Sequence, residues 1–172
     1  RIPVKSDAIS ENVKKAVIAT EDENFETHNG VVPKAVLRAT LGSVVGVGSS
    51  SGGSTITQQL IKQQVVGDAP TFKRKAAEIV DALALERYMS KDDILTTYLN
   101  VSPFGRNNKG QNIAGVEEAA QGIFGVSAKD LTVPQSAFIA GLPQSPIVYS
   151  PYAADGRSVP RMCSIICIGR AI

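Results

Sequence analysis

Apolar residues recur at helical spacing along most of the chain, which predicts a mainly α-helical protein with few strands. Ser10 is placed to cap a first helix that carries Val13, Ala16 and Val17 on one side. Pro33 is predicted to open a further helix, because proline is favoured at the first helical position. We therefore expect one compact, mainly helical domain.

The longest predicted helix covers residues 71–89. Its apolar side chains follow the i, i+4, i+7, i+11 spacing of a buried face. They are Phe72, Ala76, Ile79 and Leu83. We expect this helix to lie in the core with that face buried.

Two later helices have capping-box signatures at their starts. The first is Ser90 to Asp93, and the second is Thr132 to Gln135 with Pro134 at the first helical position. Between them another helix is predicted to end at Gly125. Its apolar residues are Ile113, Val116, Ala120 and Ile123.

The composition fits an ordinary globular domain, which we assign to residues 1–152, leaving the tail 153–172 without a clear assignment. Charged residues of both signs are spread along the chain and leave a net charge of +2, so no nucleic-acid partner is indicated. No apolar run reaches the roughly 20 residues that span a bilayer, and we expect any anchor or export signal to lie outside this sequence. Cys163 and Cys167 are expected to be inert thiols, since no second pair completes a zinc site.

Residues 42–53 are rich in glycine and serine, which impose little conformational restraint, and we expect them to form a mobile loop. The stretch "GGSTITQQL" follows, and Ser54 or Thr55 is placed to cap a helix there. Free backbone N–H groups at such a start predict an anion site. Gln58, Gln59 and Lys62 add amide groups and a positive charge. The alternative is a plain capped helix after a linker.

Three consecutive acids, Glu21, Asp22 and Glu23, come at the predicted end of the first helix. Acids there oppose the helix macrodipole, which indicates either a function or simple solvent exposure. The chain's only histidine, His28, follows, and we expect it to be a hydrogen-bonded residue that orients the loop.

A third cluster lies on the long helix. Arg74 and Glu78 are i, i+4 neighbours, and Lys75 and Glu78 are i, i+3 neighbours. A surface ion-pair cluster is the default interpretation. The functional alternative is a phosphate-binding clamp with an acidic partner.

Together, and in this order, these stretches resemble the peptidoglycan glycosyltransferase domain of penicillin-binding proteins, glycosyltransferase family 51. The first family motif is matched by Glu21, Asp22, Phe25, His28 and Gly30, the second by residues 52–59, and the third by Arg74, Lys75 and Glu78. The fourth is matched by Tyr98, Leu99, Asn100, Phe104 and Gly105, and a fifth is echoed by "LTVPQSAFIAGLPQSP". Many members carry an arginine where this chain has Pro70, a phosphate contact that Lys73 is the candidate to replace.

The resemblance implies a lysozyme-like helical fold and polymerisation of lipid II into β-1,4-linked glycan strands, with inversion and release of undecaprenyl pyrophosphate. By its position Glu21 would be the general base, and Glu78, with Arg74 and Lys75, would organise the pyrophosphate. The remaining expected substrate contacts are Asp22, Phe25, His28, Gly53, Ser54, Thr55, Gln58, Gln59, Lys62, Asn100, Phe104 and Gly105.

The resemblance also implies partners and a location. A divalent cation, Mg²⁺ or Mn²⁺, is expected on the pyrophosphate with Glu78 as its protein contact. Lipid II, the growing glycan chain, the membrane interface and phosphoglycolipid inhibitors of the moenomycin type are the expected partners, at the extracytoplasmic face of a bacterial membrane.

Two other functions use similar residues. A lysozyme-like hydrolase or lytic transglycosylase acts on the same polymer with a glutamate, but it meets no pyrophosphate that would require Lys62, Arg74 and Lys75. A non-catalytic module that binds glycan or lipid would use Glu21 only as a hydrogen-bond acceptor.

Overall fold

The computed structural model describes residues 2–34, 53–66 and 72–152. Pro33 and Lys34 are helical, as predicted for a helix that opens at Pro33. The rest of that predicted helix, the Gly/Ser-rich loop before Gly53, Pro70 and the tail with both cysteines lie outside the described residues. Within the described residues the contacts form two compact units, residues 2–20 with 99–152, and residues 21–98.

The described chain is mainly helical, as expected. Its α-helices are α1 (Glu11–Glu21), α2 (Ile56–Ile61), α3 (Phe72–Tyr88), α4 (Lys91–Val101), α5 (Val116–Phe124) and α6 (Val133–Gly141). A π-helical turn, Lys62–Val66, follows α2, and 3₁₀ turns lie at Ser6–Ala8 and Ala128–Asp130. No helix among the described residues combines the length and the apolar composition that crossing a membrane requires.

The capping signals identified three helix starts. The Ser10 hydroxyl accepts the Asn12 N–H at 3.2 Å at the start of α1. The Ser90 hydroxyl accepts the Asp93 N–H at 3.1 Å before α4. A capping box opens α6, where Pro134 takes the second helical position rather than the predicted first, because Val133 is already helical.

The unit of residues 2–20 and 99–152 contains a short hairpin, in which β1 (Pro103–Arg106) pairs antiparallel with β2 (Asn112–Ala114). Ile113 therefore belongs to a strand and not to the predicted helix, which begins at Val116 and ends as expected at Gly125. The most deeply buried core side chains of this unit, at most 1 % exposed, include Val13, Val17, Leu99, Phe104, Ile113, Val116, Ile139 and Leu142.

The long helix α3 was located correctly, but its predicted buried face was wrong. Ala76 is exposed and Leu83 is 39 % exposed, whereas Glu78 is 1 % exposed and Ala82 is fully buried. α3 packs against α2 within the 21–98 unit. Apolar periodicity could not identify this face, because its burial depends on the ion pairing of Glu78 rather than on large apolar side chains.

Candidate active site

Glu21 is the last residue of α1 and is half-buried. The Gln59 side chain, from α2, donates its Nε2–H to Glu21 Oε2 at 3.1 Å. The Tyr98 hydroxyl, from α4, in turn donates to Gln59 Oε1 at 3.1 Å. The predicted general base is therefore oriented by side chains from two other helices.

Glu78 forms the centre of a second cluster. Its side chain is 2 % exposed, and Arg74 Nη1 lies 2.9 Å from its Oε2. Lys75 Nζ contacts the other oxygen, Oε1. The side chains of Arg74 and Lys75 are 17 % and 35 % exposed. The carboxylate is thus buried while both cations reach the surface, and the cluster carries one net positive charge.

The two clusters are connected. Lys75 Nζ donates to the Ser54 hydroxyl at 3.0 Å, and the Ser54 carbonyl oxygen lies 3.4 Å from Gln59 Nε2. A continuous series of contacts runs from Glu21 through Gln59 and Ser54 to Lys75 and Glu78, all within the 21–98 unit. The predicted base and the predicted phosphate clamp therefore belong to one site.

The start of α2 is not the anion site that its sequence predicts. Thr55 is the N-cap and forms a complete capping box with Gln58, which is 1 % exposed. The Ile56 N–H donates to Asp22 Oδ2 at 2.9 Å. An internal carboxylate already occupies the positive end of this helix. Thr55, Gln58 and Asp22 consequently hold the site together instead of facing a substrate.

His28 has the structural role expected for it. The Gly30 N–H donates to His28 Nδ1 at 3.0 Å, so the ring carries its proton on Nε2 and donates it to Asp22 Oδ2 at 2.8 Å. The side chains of His28 and Asp22 are 6 % and 5 % exposed. Asp22 Oδ2 therefore bonds both His28 and Ile56, and it joins the loop that follows Glu21 to the start of α2.

Phe25 was predicted to contact substrate, but it is fully buried. Its ring packs edge-on against His28, with the centroids 6.0 Å apart, and Lys91 Nζ lies 4.6 Å from its centroid. Phe25 therefore anchors the loop that follows Glu21.

Sequence reasoning missed an ion-pair network behind this loop. Lys91 Nζ lies 2.6 Å from Glu86 Oε2 and donates to the His28 carbonyl oxygen at 2.7 Å. The Thr57 hydroxyl donates to Glu86 Oε1 at 2.6 Å. The spacing of Glu78, Ala82 and Glu86 at four-residue intervals was the available signal, because it places two carboxylates on one face of α3 around a small residue.

Gly30 allows the loop to approach α3 closely. Its φ is +91°, and a Cβ placed there would lie 2.6 Å from the Ala82 carbonyl oxygen. Gly110 is the matched control, because its φ is +75° and a Cβ there would meet nothing within 4 Å.

Gly30→Ala and Gly110→Ala both add the left-handed strain of about 1–2 kcal/mol. Gly30→Ala is expected to lose a further ~1–3 kcal/mol, since the backbone of α3 must move. Chemical denaturation of both variants measures the difference. Equal losses of stability would show that the close approach does not exist.

Three residues that were predicted to contact substrate make internal contacts within the unit of residues 2–20 and 99–152. Both groups of the Asn100 amide bond the backbone of Val4, at 2.9 and 2.8 Å. Phe104 is fully buried. Gly105 has a φ of +99°, and a Cβ there would lie 2.5 Å from the Pro146 carbonyl oxygen. These residues shape the fold of their unit.

The remaining predicted contacts flank or lie on α2. Gly53 is exposed immediately before Ser54, and Lys62 is half-buried at the start of the π-helical turn. The substrate contacts expected of Gly53, Ser54, Lys62 and Gln59 stay predictions.

The donor set does not fit a divalent cation held by this protein alone. No group of three or more His, Cys, Asp or Glu side chains is placed for metal binding within residues 2–34, 53–66 and 72–152. Both oxygens of Glu78 are already held by cations, which argues against its direct coordination of a metal.

The chain is similar to known proteins over almost its whole length. A family model described as "Transglycosylase" matches residues 1–167. The chain is 40 % identical over 164 residues to "Penicillin-binding protein 1A" of Clostridium perfringens, covering 93 % of this chain and 23 % of that protein. It is 38 % identical to "Penicillin-binding protein 1F" of Bacillus subtilis, with 96 % and 22 % covered. For "Penicillin-binding protein 1A" of Escherichia coli the identity is 39 %, with 94 % and 18 % covered.

The chain spans less than a quarter of the length of these relatives. The matched region is nonetheless almost the whole of this chain, and it contains both clusters of the site. The chain therefore belongs to the transglycosylase family, the peptidoglycan glycosyltransferase domains of penicillin-binding proteins.

Proposed function

We propose that this domain polymerises lipid II into β-1,4-linked glycan strands. The 4-hydroxyl of the acceptor sugar attacks the anomeric carbon of the donor, and its proton passes to the Glu21 carboxylate. The bond from the anomeric carbon to the phosphate oxygen breaks, and undecaprenyl pyrophosphate leaves with the bonding electrons. Attack opposite the leaving group inverts the α linkage to β.

The proposal is carried by the contact series that joins Glu21 to the Arg74–Glu78 cluster through Gln59 and Ser54. An inverting transfer needs a base on one side of the anomeric carbon and charge neutralisation on the other. The Glu21 carboxylate supplies the base, and the net positive Arg74–Glu78 cluster supplies the charge neutralisation. A lysozyme-like hydrolase releases no pyrophosphate and therefore needs no such cluster.

The divalent cation is proposed to sit on the pyrophosphate itself. The engagement of both Glu78 oxygens with Arg74 and Lys75 supports this proposal, because it leaves Glu78 little capacity to bind a metal. When bound, Mg²⁺ or Mn²⁺ would neutralise charge on the departing group. The protein's own contribution is the pair of cations beside it.

The location and the inhibitor are part of the same proposal. Lipid II offers its sugars at the extracytoplasmic membrane face, where the domain is proposed to work at the interface. Moenomycin-type phosphoglycolipids present a phosphate that suits Arg74 and Lys75, and we expect them to compete with the donor.

Arg74→Ala and Lys75→Ala are each expected to lower kcat/KM for lipid II by about 10²-fold, because each removes a charge that stabilises the leaving group. Steady-state rates at varied lipid II measure this. Arg87→Ala is the control, since Arg87 is an exposed cation on the same helix. Melting curves must show that the two test variants stay folded. Wild-type kinetics in both folded variants would remove Arg74 and Lys75 from the site.

A second assay separates the rival functions. Wild-type protein is given lipid II in one tube and purified glycan strands in another. Long strands from lipid II, with no cleavage of the preformed strands, are the expected result. Cleavage without polymerisation would identify a hydrolase or lytic enzyme, and binding without either reaction would identify a binding module.

A further inference from the structure

Tyr98 is a fully buried side chain on α4 whose hydroxyl reaches the site. It donates to Gln59 Oε1 at 3.1 Å, and Gln59 Nε2 donates to Glu21 Oε2 at 3.1 Å. These two bonds form a directed relay from the protein interior to the predicted base.

The direction of the relay follows from hydrogen-bond chemistry. A phenol carries its proton at neutral pH and donates readily, while an ionised carboxylate can only accept. The Gln59 amide satisfies both neighbours in only one orientation. The flipped orientation would set its carbonyl oxygen against the Glu21 carboxylate, so that two acceptors faced each other.

We propose that Tyr98 is a positioning residue for Glu21 and acts through Gln59. The inference rests on the proposed function, in which Glu21 is the general base. Tyr98 holds the Gln59 amide in the donating orientation, and that amide fixes the Glu21 carboxylate and stabilises its ionised form. No covalent step is assigned to Tyr98 or Gln59.

Tyr98→Phe removes only the hydroxyl and is expected to lower kcat for lipid II polymerisation by about 10-fold, with KM nearly unchanged, because a misplaced base slows the reaction without weakening binding. The acid limb of the rate–pH profile should move to higher pH, since a carboxylate that loses a donated hydrogen bond holds its proton more tightly. Tyr88→Phe is the matched control, because Tyr88 is 86 % exposed.

A double-mutant cycle tests whether Tyr98 works through Gln59. Gln59→Leu breaks the relay at its half-buried middle and leaves the buried tyrosine in place. In that background, Tyr98→Phe should cause little further loss of kcat. A second full 10-fold loss would contradict the relay, as would a Tyr98→Phe variant with the kcat and pH profile of the wild type.

A measurement on the protein without substrate tests the relay independently of the proposed function. In the NMR spectrum of the wild-type protein, one proton of the Gln59 side-chain NH₂ should resonate downfield of its position in a solvated amide, because it is bonded to the Glu21 carboxylate. Tyr98→Phe should bring this resonance towards the position in a solvated amide, and Tyr88→Phe should not. Unchanged Gln59 resonances in Tyr98→Phe would overturn the relay, whereas a wild-type protein inactive on lipid II would reject only the proposed function.

Discussion

Glu21→Gln is expected to lower the rate of lipid II polymerisation by about 10²–10⁴-fold, the usual contribution of a positioned general base. The amide keeps the size of the side chain and can still bond Gln59, but it cannot take the proton of the attacking hydroxyl. Gel analysis of the glycan strands, with initial rates, measures the loss.

Glu23→Gln is the control for that experiment, because Glu23 is an exposed carboxylate two residues away. Its polymerisation rate should match that of the wild type. The Glu21→Gln variant should retain the wild-type melting temperature and still bind lipid II. If Glu21→Gln polymerised at the wild-type rate, another group would have to be the base.

Lys91→Ala is expected to lower the free energy of unfolding by about 3 kcal/mol, because it leaves the Glu86 carboxylate buried without its cation. The Glu86 side chain is 7 % exposed, and the Lys91 side chain is 24 % exposed. Lys91 also bonds the His28 carbonyl oxygen, so the loop after Glu21 should loosen as well. In a domain of this size the melting temperature should fall by roughly 6–12 °C.

Lys109→Ala provides the comparison for Lys91→Ala. Lys109 is exposed in the hairpin turn, and its replacement should change stability by less than about 0.5 kcal/mol. Thermal or chemical unfolding of the two variants side by side gives the difference. Similar stabilities for both would mean that the Glu86–Lys91 pair is not a buried structural contact.

The helical class and several helix starts could be predicted because their signals are local. Ser10, Ser90 and Thr132 each bond a backbone or side-chain group no more than three residues away. The Arg74–Glu78 cluster could also be predicted, because Arg74 and Lys75 lie four and three residues before Glu78 on one helix. Local spacing determines such contacts almost completely.

The internal roles of the motif residues could not be predicted, because they depend on contacts distant in sequence. Asp22 accepts the N–H of Ile56, 34 residues away. Thr57 bonds Glu86, 29 residues away. A sequence motif names residues that belong together, but it does not distinguish a side chain that faces substrate from one that holds another side chain.

The buried face of α3 illustrates the same limit. Hydrophobic periodicity assumes that the apolar side of a helix is the buried one. Here Glu78 is buried because Arg74 and Lys75 neutralise it, while Leu83 lies near the surface. A site built on paired charges is the kind of place where that assumption fails.

The central claim is that Glu21 and the Arg74–Glu78 cluster serve the two ends of one displacement. A crystal structure of the protein with a non-cleavable phosphonate analogue of lipid II and a short acceptor glycan tests it most directly. The acceptor 4-hydroxyl should lie about 2.6–3.2 Å from a Glu21 oxygen, with the phosphonate groups against Arg74 and Lys75. A complex in which the phosphonate groups lie away from both cations while the acceptor rests on Glu21 would contradict the claim.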